Sequence, residues 1–319
     1  MLGLLGGLSL VAGAAHSETA AQYPSRPIKL IIPFAPGGSG DVIAHALQAS
    51  MQQILGQPLV TENKGGAGAI LGTQDLTQAA PDGYTLELVN PLLVTNPAMT
   101  PNLPYKTPED FTPVGSILTF SLFLATRKDF PATNVADFIS YVKANPGKVT
   151  LATSGPGSTS QLSQALLSSL TGMKIVEIPY KGGGPIALAL AGSQVDYTFA
   201  TPSVLDPLIQ ANNVNILGTT SPTASTDPAA PSMSATPGLE NYSYVAWYGM
   251  VAPAGTPADI VAKLNDALNQ SLQKPEVVQA LASLNGTIKT GSPKDFSDWV
   301  NSELAKWSKV IKDAGITVQ

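Results

Sequence analysis

Residues 27–56 read PIKLIIPFAPGGSGDVIAHALQASMQQILG, and this stretch decides the fold of the 319-residue chain. It opens on a short apolar strand over 28–32 and passes through a glycine-rich turn. It then spaces its apolar residues as one face of a helix. Gly56 ends that helix in the manner of a C′ glycine. The stretch therefore predicts a strand, a tight turn and a helix, the opening unit of an α/β sheet.

The same unit recurs along the chain. A strand over 59–62, a turn, a short helix that ends by residue 80 and a strand over 84–89 complete a βαβαβ series, which predicts a parallel sheet covered by helices. A second series begins near residue 122. Its predicted strands cover 122–126, 149–153, 174–178, 195–199 and 214–218, and its helices cover 135–144, 160–170, 185–190 and 203–211. We expect two lobes, each a mainly parallel sheet flanked by helices.

Composition narrows the class of protein. Hydrophobic residues make up 44% of the chain and charged residues 12%, which suits a globular α/β protein rather than a disordered one. The net charge is −5 and no basic run occurs, so nucleic acid is not an expected partner. The chain has no cysteine, which leaves no disulfide or thiolate chemistry.

The first residues have the form of an export signal. An apolar run over 2–11 is followed by Ala12-Gly13-Ala14, a small-residue cleavage pattern, so residues 1–22 are predicted to be a signal peptide and leader of a periplasmic protein. The alternative is a frayed apolar tail. No later segment reaches the roughly 20 apolar residues that a membrane span requires.

The last third of the chain contains a connection and a helical end. Residues 219–242 are rich in Pro, Ser, Thr and Ala, which predicts a surface connection. A strand over 247–251 and helices beginning near 257, 276 and 295 follow. The last helix places apolar residues on one face, which predicts core packing rather than a cofactor site. These residues are Phe296, Trp299, Val300, Leu304, Trp307, Val310 and Ile311.

Two glycine- and hydroxyl-rich loops join a strand to a helix. The first is Phe34-Ala35-Pro36-Gly37-Gly38-Ser39-Gly40-Asp41, and the second is Ser154-Gly155-Pro156-Gly157-Ser158-Thr159-Ser160-Gln161. Open N–H groups at a helix start can bind an anion, and Asp41 is expected to cap the first turn. A plain strand–helix turn explains the first loop equally well. Neither loop has the Walker pattern or the G-x-G-x-x-G pattern, which disfavours nucleotide chemistry.

The sequence offers no catalytic machinery. Of its two histidines, His16 lies in the export segment and His45 on the flank of a helix, so a Ser–His–Asp triad lacks a base. No cluster has metal-ligand spacing, and no cofactor is expected. Lys181 is best explained as an ordinary loop lysine rather than a Schiff-base former.

Short motifs along the whole mature chain resemble one family. The chain is similar to the substrate-binding proteins of tripartite tricarboxylate transporters, also called the Bug (Bordetella uptake gene) family. The motifs are Tyr23-Pro24-Ser25-Arg26-Pro27-Ile28, 33–41, Gly56-Gln57-Pro58, Glu62-Asn63, 80–86, Asn96-Pro97, Leu103-Pro104-Tyr105, Pro179-Tyr180-Lys181-Gly182, Trp247-Tyr248-Gly249, 252–257, Lys306-Trp307 and Ala314-Gly315-Ile316.

The resemblance implies a two-lobed periplasmic-binding-protein fold of the type II kind that closes on its ligand by a hinge. It implies one lobe from 23–121 and 243–319 with both chain ends, and another from 122–242. The expected ligand is a small organic carboxylate, the expected partners are membrane transporter subunits, and the receptor is expected to be a monomer. The implied ligand-binding residues are Phe34, Pro36, Gly37, Gly38, Ser39, Gly40, Asp41, Asn90, Ser154, Gly155, Gly157, Ser158, Thr159, Ser160, Gln161, Tyr180, Gly182, Ala200 and Thr201.

Three positions depart from the family pattern. Gln161 stands where relatives often have His, and it can donate and accept a hydrogen bond but cannot titrate. Ala200 stands where many relatives have an acidic residue, which makes an amino-acid ligand less favourable. Residues 89–93 are shorter and more apolar than the Ser-, Thr- and Gly-rich segment common there, which suits an aromatic or less polar carboxylate unless the segment merely packs between the lobes. A sensor subunit for a membrane kinase and a secreted hydrolase remain alternatives.

Overall fold

The computed structural model describes residues 21–34, 36, 38–155, 157–226, 229–282, 284 and 286–315. The predicted signal peptide and leader therefore lies outside the described residues except for Ala21 and Gln22, and so does His16. Within the described part of the chain, no helix is both long enough and apolar enough to cross a membrane.

Strands and helices alternate along most of the chain. The strands are β1 (Ile28–Ile32), β2 (Leu59–Asn63), β3 (Thr85–Val89), β4 (Phe111–Ser121), β5 (Phe123–Arg127), β6 (Thr150–Thr153), β7 (Val176–Pro179), β8 (Tyr197–Ala200), β9 (Val214–Thr219), β10 (Ser225–Thr226), β11 (Ala229–Ala230), β12 (Val245–Pro253) and β13 (Thr287–Ile288). The helices are α1 (Ser39–Leu55), α2 (Ile70–Thr77), α3 (Leu92–Met99), α4 (Val135–Ala144), α5 (Thr159–Thr171), α6 (Gly183–Ala191), α7 (Pro202–Gln210), α8 (Ala258–Ser271), α9 (Pro275–Ala282) and α10 (Pro293–Ala314).

These strands form two main sheets. The first has the order β13-β4-β12-β3-β1-β2, and the second has the order β7-β6-β8-β5-β9. In the first sheet β1 is parallel to β2 and β3, whereas β12 is antiparallel to β3 and β4. In the second sheet β6 is parallel to β7 and β8, whereas β5 is antiparallel to β8 and β9.

The predicted α/β class with two helix-flanked sheets is confirmed. The sheets are mixed rather than mainly parallel, because each contains antiparallel strands. These strands lie next to the two crossings, the segments in which the chain passes from one sheet to the other. β4 and β12 belong to the first sheet, and β5 and β9 belong to the second. The parallel part of each sheet is the three-strand unit that the βαβαβ pattern predicted.

The crossings make the carboxyl ends of the two parallel units face each other. β4 is antiparallel to β12, which is antiparallel to β3, so β4 and β3 run in the same direction. A single residue, Leu122, separates β4 from β5, and β5 then runs opposite to β8. The chain thus leaves the first sheet at the carboxyl end of β3 and enters the second at the carboxyl end of β8.

Helix α3 and strand β4 have no counterpart in the sequence patterns, and neither have the two-residue strands β10, β11 and β13. Helix α3 contains Pro97, and its apolar residues are spread around the helix axis, so it shows no helical period. Strand β4 contains Pro113 and Gly115, which break a strand pattern. Gly115 has a packing reason, since a Cβ there would lie 2.9 Å from the amide Nδ2 of Asn265. That amide donates a hydrogen bond to the carbonyl oxygen of Val114 at 2.8 Å.

The prediction that residues 219–242 form a poorly packed surface connection is wrong for part of this segment. Leu239 and Tyr242 are buried in the apolar core, and the phenol of Tyr242 donates to the carbonyl oxygen of Ser163 at 3.2 Å. Thr220 is also buried, and its Oγ1 accepts from the N–H of Leu122 at 2.8 Å. These contacts join the second crossing to the first, because both pass between the sheets at the same place.

Helix α10 packs with the apolar face that the sequence predicted. Phe296, Val300, Trp307, Val310 and Ile311 are buried, and Trp299 and Leu304 are partly buried against them. The helix contacts α3 and β4 beside the first sheet and α5 beside the second. The assignment of residues 243–319 to one lobe therefore stays a prediction.

A glycine on β12 makes room for this helix. A Cβ built on Gly249 would lie 2.1 Å from Cζ of Phe296, which is far closer than any real carbon–carbon contact. The ring of Phe296 also meets the indole of Trp247 edge to face at a centroid distance of 5.7 Å. The ring of Phe296 thus fills the space that a side chain at position 249 would occupy.

We expect Gly249→Ala to lower the free energy of unfolding by about 1–3 kcal/mol, because the new methyl group overpacks the contact with Phe296. Denaturant unfolding measures the change. Gly184→Ala is the matched control, since a Cβ at Gly184 meets no atom within 4 Å and alanine favours a helix. Equal stabilities of the two variants would contradict this account of Gly249.

A buried carboxyl group lies on β3. Oε1 of Glu87 accepts a hydrogen bond from Oγ1 of Thr73 at 2.7 Å, while Oε2 has no hydrogen-bond partner among the described residues. Burial raises the pKa of Glu87 to about 8, although the hydrogen bond from Thr73 acts in the opposite direction. Most Glu87 side chains are therefore uncharged at neutral pH, which avoids a buried unpaired charge.

This carboxyl group should make stability depend on pH. Because the pKa of Glu87 is higher in the folded chain than its ordinary value of 4.5, its stabilising contribution is complete below that value and is lost as pH rises to about 8. Between these limits, the free energy of unfolding should fall by a few kcal/mol more in the wild type than in Glu87→Gln, on the order of what this pKa shift implies. Denaturant unfolding at several pH values measures both proteins, and parallel curves would refute the assignment.

Candidate functional site

The first predicted loop lies between β1 and α1 and is held by two side chains. Oδ2 of Asp41 accepts a hydrogen bond from the N–H of Gly38 at 3.1 Å. Oδ1 of Asp41 accepts from Nδ2 of Asn63 at 2.7 Å, and the same amide donates to the carbonyl oxygen of Phe34 at 3.3 Å. Asp41 and Asn63 thus brace the loop. Of the residues of this predicted loop, Ala35 and Gly37 lie outside the described part of the chain.

The start of α1 keeps backbone donors available. The N–H groups of Ser39 and Gly40 have no hydrogen-bond partner among the described residues, and they open a helix of 17 residues. Gly38 itself has φ −95° and ψ −179°, and a Cβ there would meet no atom within 4 Å. Folding therefore does not require glycine at this position, whereas an anion approaching the backbone would favour the absence of a side chain.

The second predicted loop lies between β6 and α5 and is braced in a similar way. Oε1 of Gln161 accepts from the N–H of Gly157 at 2.8 Å, and its Nε2 donates to the carboxylate of Glu177 at 2.7 Å. Gly155 and Gly157 have φ of 95° and 72°, a conformation that favours glycine. Ser158 caps α5 by accepting from the N–H of Gln161. The amide of Gln161 therefore accepts a hydrogen bond within the loop and donates one to β7.

Hydroxyl groups line the same loop. Oγ of Ser160 lies 3.1 Å from Oγ of Ser158 and accepts from the N–H of Ser154 at 3.3 Å. Thr159 and Ser160 form the first turn of α5, and their N–H groups have no hydrogen-bond partner within the part of the chain that the structure describes. The second loop thus offers hydroxyl groups beside a helix start, as the first loop does with Ser39.

Helix α3 brings the second loop to the first sheet. A Cβ built on Gly157 would lie 3.1 Å from Cδ2 of Leu92 and 3.2 Å from Cε of Met99, so the loop backbone packs on α3. This helix begins two residues after Asn90, whose Oδ1 accepts from the N–H of Leu92 at 3.0 Å. Asn90 and the second loop are therefore neighbours, although they are more than 60 residues apart in sequence.

A tyrosine that the sequence prediction omitted joins Asn90 to the first loop. The phenol of Tyr248 lies beside the side chains of Asn90 and Ser39, and the residue is 8% exposed. Burial raises its pKa to about 12, although the polar groups of Asn90 and Ser39 act to lower it, and Asp41 adds a further rise. Tyr248 is therefore a neutral phenol at physiological pH. Its place in Trp247-Tyr248-Gly249 was a signal, but only the pairing of β12 with β3 places it beside Asn90.

The remaining predicted residues lie at the carboxyl edge of the second sheet. The N–H of Tyr180 donates to the carbonyl oxygen of Thr153, the last residue before the second loop, at 2.8 Å. Ala200 pairs with Phe123 across β8 and β5, and Oγ1 of Thr201 lies 2.9 Å from Oγ of Ser203. Gly182 has φ 96° at the start of α6. These residues follow or end β7 and β8, at the same edge of the second sheet as the second loop.

A groove of about 910 Å³ lies next to these loops, at the crossing strands. Its walls come from β4, β12, β13, the start of α10 and residues 219–225. No described residue of either predicted loop lines it. Tyr248 belongs to both places, since its phenol contacts Ser39 and Asn90 while the residue lines the groove. The groove is thus a space adjoining the loops that the sequence did not predict.

The chemistry of the site is that of hydrogen bonding. Among the described residues, no group of three His, Asp or Glu side chains is placed to hold a metal ion. His45 lies in the second turn of α1, and its Nδ1 is 2.6 Å from the carbonyl oxygen of Asp41. Backbone N–H groups, serine and threonine hydroxyls and a phenol are donors that suit a carboxylate.

Comparison with known proteins places the chain among transport receptors. The family model described as tripartite tricarboxylate transporter family receptor matches residues 43–316. Protein BugT from Bordetella pertussis is 36% identical over 320 residues, which covers 99% of this chain and 97% of BugT. The resemblance read from the sequence motifs is therefore confirmed.

Solved structures share the fold over nearly the whole chain. A protein from R. palustris with adipate is 31% identical with a TM-score of 0.77, and the match covers 92% of this chain and 99% of that one. MatC from Rhodopseudomonas palustris with bound malate is 32% identical with a TM-score of 0.76, covering 91% and 100%.

The brace on the second loop can be tested without a ligand. Gln161→Ala removes the hydrogen bonds to Gly157 and Glu177, so we expect a loss of about 1–2 kcal/mol in the free energy of unfolding. Amide hydrogen exchange in residues 154–158 should become faster, because the loop loses its brace. Gln210→Ala, at the exposed end of α7, is the matched control. Unchanged exchange in the loop of Gln161→Ala would show that Gln161 does not hold it.

Proposed function

This chain belongs to the family of tripartite tricarboxylate transporter receptors, and on that premise we propose that it captures a small organic carboxylate between its two sheets. The observation that carries the proposal is the placement of two braced loops, each at the start of a helix: the second loop packs on α3, and Tyr248 lies beside both Ser39 of the first loop and Asn90. Relatives with adipate and malate support a carboxylate as the ligand class.

The carboxylate would be held by neutral donors. Backbone N–H groups at the starts of α1 and α5 carry the positive end of each helix dipole. The hydroxyls of Ser39, Ser158 and Thr159 and the phenol of Tyr248 add donors at the same place. A hydrogen bond to a charged group contributes about 1.5–3 kcal/mol, so three or four of them provide useful affinity. Asp41 and Gln161 would brace the loops rather than contact the ligand.

The delivery step would use hinge closure. In this proposal residues 23–121 and 243–319 form one lobe and residues 122–242 the other, and a bound ligand favours the closed arrangement of the two. The receptor would act in the periplasm as a monomer after export by residues 1–22, and it would pass its ligand to the membrane subunits of the transporter. The family consists of solute-binding receptors, and we propose that this chain likewise binds without catalysis. Its one described histidine is held against the backbone of its own helix.

A thermal-shift screen tests the proposed capture of carboxylates. The panel contains malate, adipate, a tricarboxylate and aromatic acids. A ligand at 100 times its dissociation constant adds about 2.7 kcal/mol of stability, which for a chain of this length raises the melting temperature by about 4 °C. If no member of the panel raises the melting temperature, carboxylate capture is wrong.

Gly38→Val tests the role of the first loop. We expect it to abolish carboxylate binding and to leave the melting temperature of the free protein unchanged, because a Cβ at Gly38 meets no protein atom within 4 Å but would obstruct an approaching anion. Gly184→Val, on the exposed face of α6, is the matched control and should bind as the wild type does. Full affinity in Gly38→Val would exclude an anion site at this turn.

A further inference from the structure

The groove at the crossing strands continues the proposed carboxylate site. The ring of Tyr248 stacks on Phe120 at a centroid distance of 6.3 Å, and both residues line the groove. The phenol oxygen of Tyr248 points the other way along the same side chain, to Ser39 and Asn90. Tyr248 therefore borders both places, so a ligand whose carboxylate lies at the two loops has the groove next to it.

The near end of the groove has large apolar side chains on both sides, next to the hydroxyl residues Ser121 and Thr219. Phe120 and Tyr248 come from the crossing strands of the first sheet, while Phe123 comes from β5 of the second sheet and Pro202 from the start of α7. Pro202 directly follows Ala200 and Thr201, and Ala200 packs in the same apolar cluster as Phe123. The side chain at position 200 is thus a buried methyl group, which offers no hydrogen bond to a ligand amino or hydroxyl group.

Charged residues are scarce along the groove. Among its described lining residues only Lys289 and Asp295 carry a charge. The carboxylate of Asp295 accepts from the N–H and Oγ of Ser292 in the cap of α10, which lowers its pKa. Lys289 follows β13, and β4 lies between β13 and β12 in the sheet. The backbone of Lys289 is therefore two strand spacings, about 10 Å, from the backbone of Tyr248.

A second ligand carboxylate at the near end would lie against aromatic rings with few free donors, because the hydroxyl of Thr219 already donates to the carbonyl oxygen of Leu122, and such a placement is costly. An aromatic body would instead gain stacking contacts with Phe120 and Phe123. A volume of about 910 Å³ is at the upper end of what binding pockets offer, and is ample for such a body. We infer, on the basis of the proposed function, that the ligand is an aromatic monocarboxylate whose ring occupies the near end of this groove.

Titration calorimetry with the full-length mature chain tests the inference. The panel pairs benzoate, phenylacetate and cinnamate with malate, adipate and hexanoate. The best aromatic monocarboxylate should bind at least about tenfold more tightly than each of the other three, the range that burial of one ring provides. It should also quench the fluorescence of Trp247 and Trp299, which line the groove.

Variants at Phe120 test where the ring of the bound aromatic acid lies. Phe120→Ser should lower the affinity for the aromatic acid by about tenfold or more. Phe120→Leu keeps an apolar side chain and protects the fold, and it should lower this affinity several-fold. Leu188→Ser is the matched control, because Leu188 is 75% exposed on α6 outside the groove. Lys289→Gln should leave the affinity for the aromatic acid unchanged.

The outcomes separate this inference from the proposed function. Tighter binding of malate, adipate or hexanoate than of every aromatic acid overturns the inference and leaves carboxylate capture intact. Unaltered affinity for the aromatic acid in both Phe120 variants overturns the placement of its ring in the groove. Failure of all six acids to bind rejects the proposed function together with the inference.

Discussion

The structure depends on the direction in which the chain crosses between its sheets. Because only Leu122 separates β4 from β5, a strand parallel to β3 is followed at once by a strand antiparallel to β8. The carboxyl ends of both parallel units then have to face each other. In α/β sheets the loops at these ends lead into helix starts, where unpaired N–H groups accumulate. The crossing thereby places two sets of backbone donors opposite one another.

Such loops bind an anion tightly only if their conformation is already fixed in the free protein. The chain achieves this twice with a side chain from the first turn of the following helix, Asp41 in α1 and Gln161 in α5. Asp41 also stays bonded to Asn63, and Gln161 to Glu177, so each brace is itself held. Preorganised donors lose little conformational entropy on binding, which raises affinity without adding contacts. A negative charge close to the first loop is tolerated because its two oxygens already accept hydrogen bonds.

The crossing strand β12 contributes both to the polar site and to the packing of α10. β12 presents Trp247 to Phe296 of α10, and its next residue, Tyr248, to Ser39 and Asn90, since successive side chains of a strand point to opposite faces. The same strand therefore secures the last helix and completes the polar site. Gly249 allows both by leaving space for the ring of Phe296. Packing of the C-terminal helix and the geometry of the site are in this way parts of one arrangement.

The sequence by itself determined the features that depend on neighbours in the chain. Periodicity located most strands and helices, the glycine-rich turns marked the helix starts, and the motifs identified the family. Helix α3 and strand β4 escaped because Pro97, Pro113 and Gly115 interrupt local patterns that tertiary packing overrides. Residues 219–242 appeared suited to the surface, yet Leu239 and Tyr242 are buried against partners far away in sequence. Only the tertiary structure decided the place of Tyr248, the meeting of Gly157 with α3 and the groove, because each arises where strands distant in sequence are brought together.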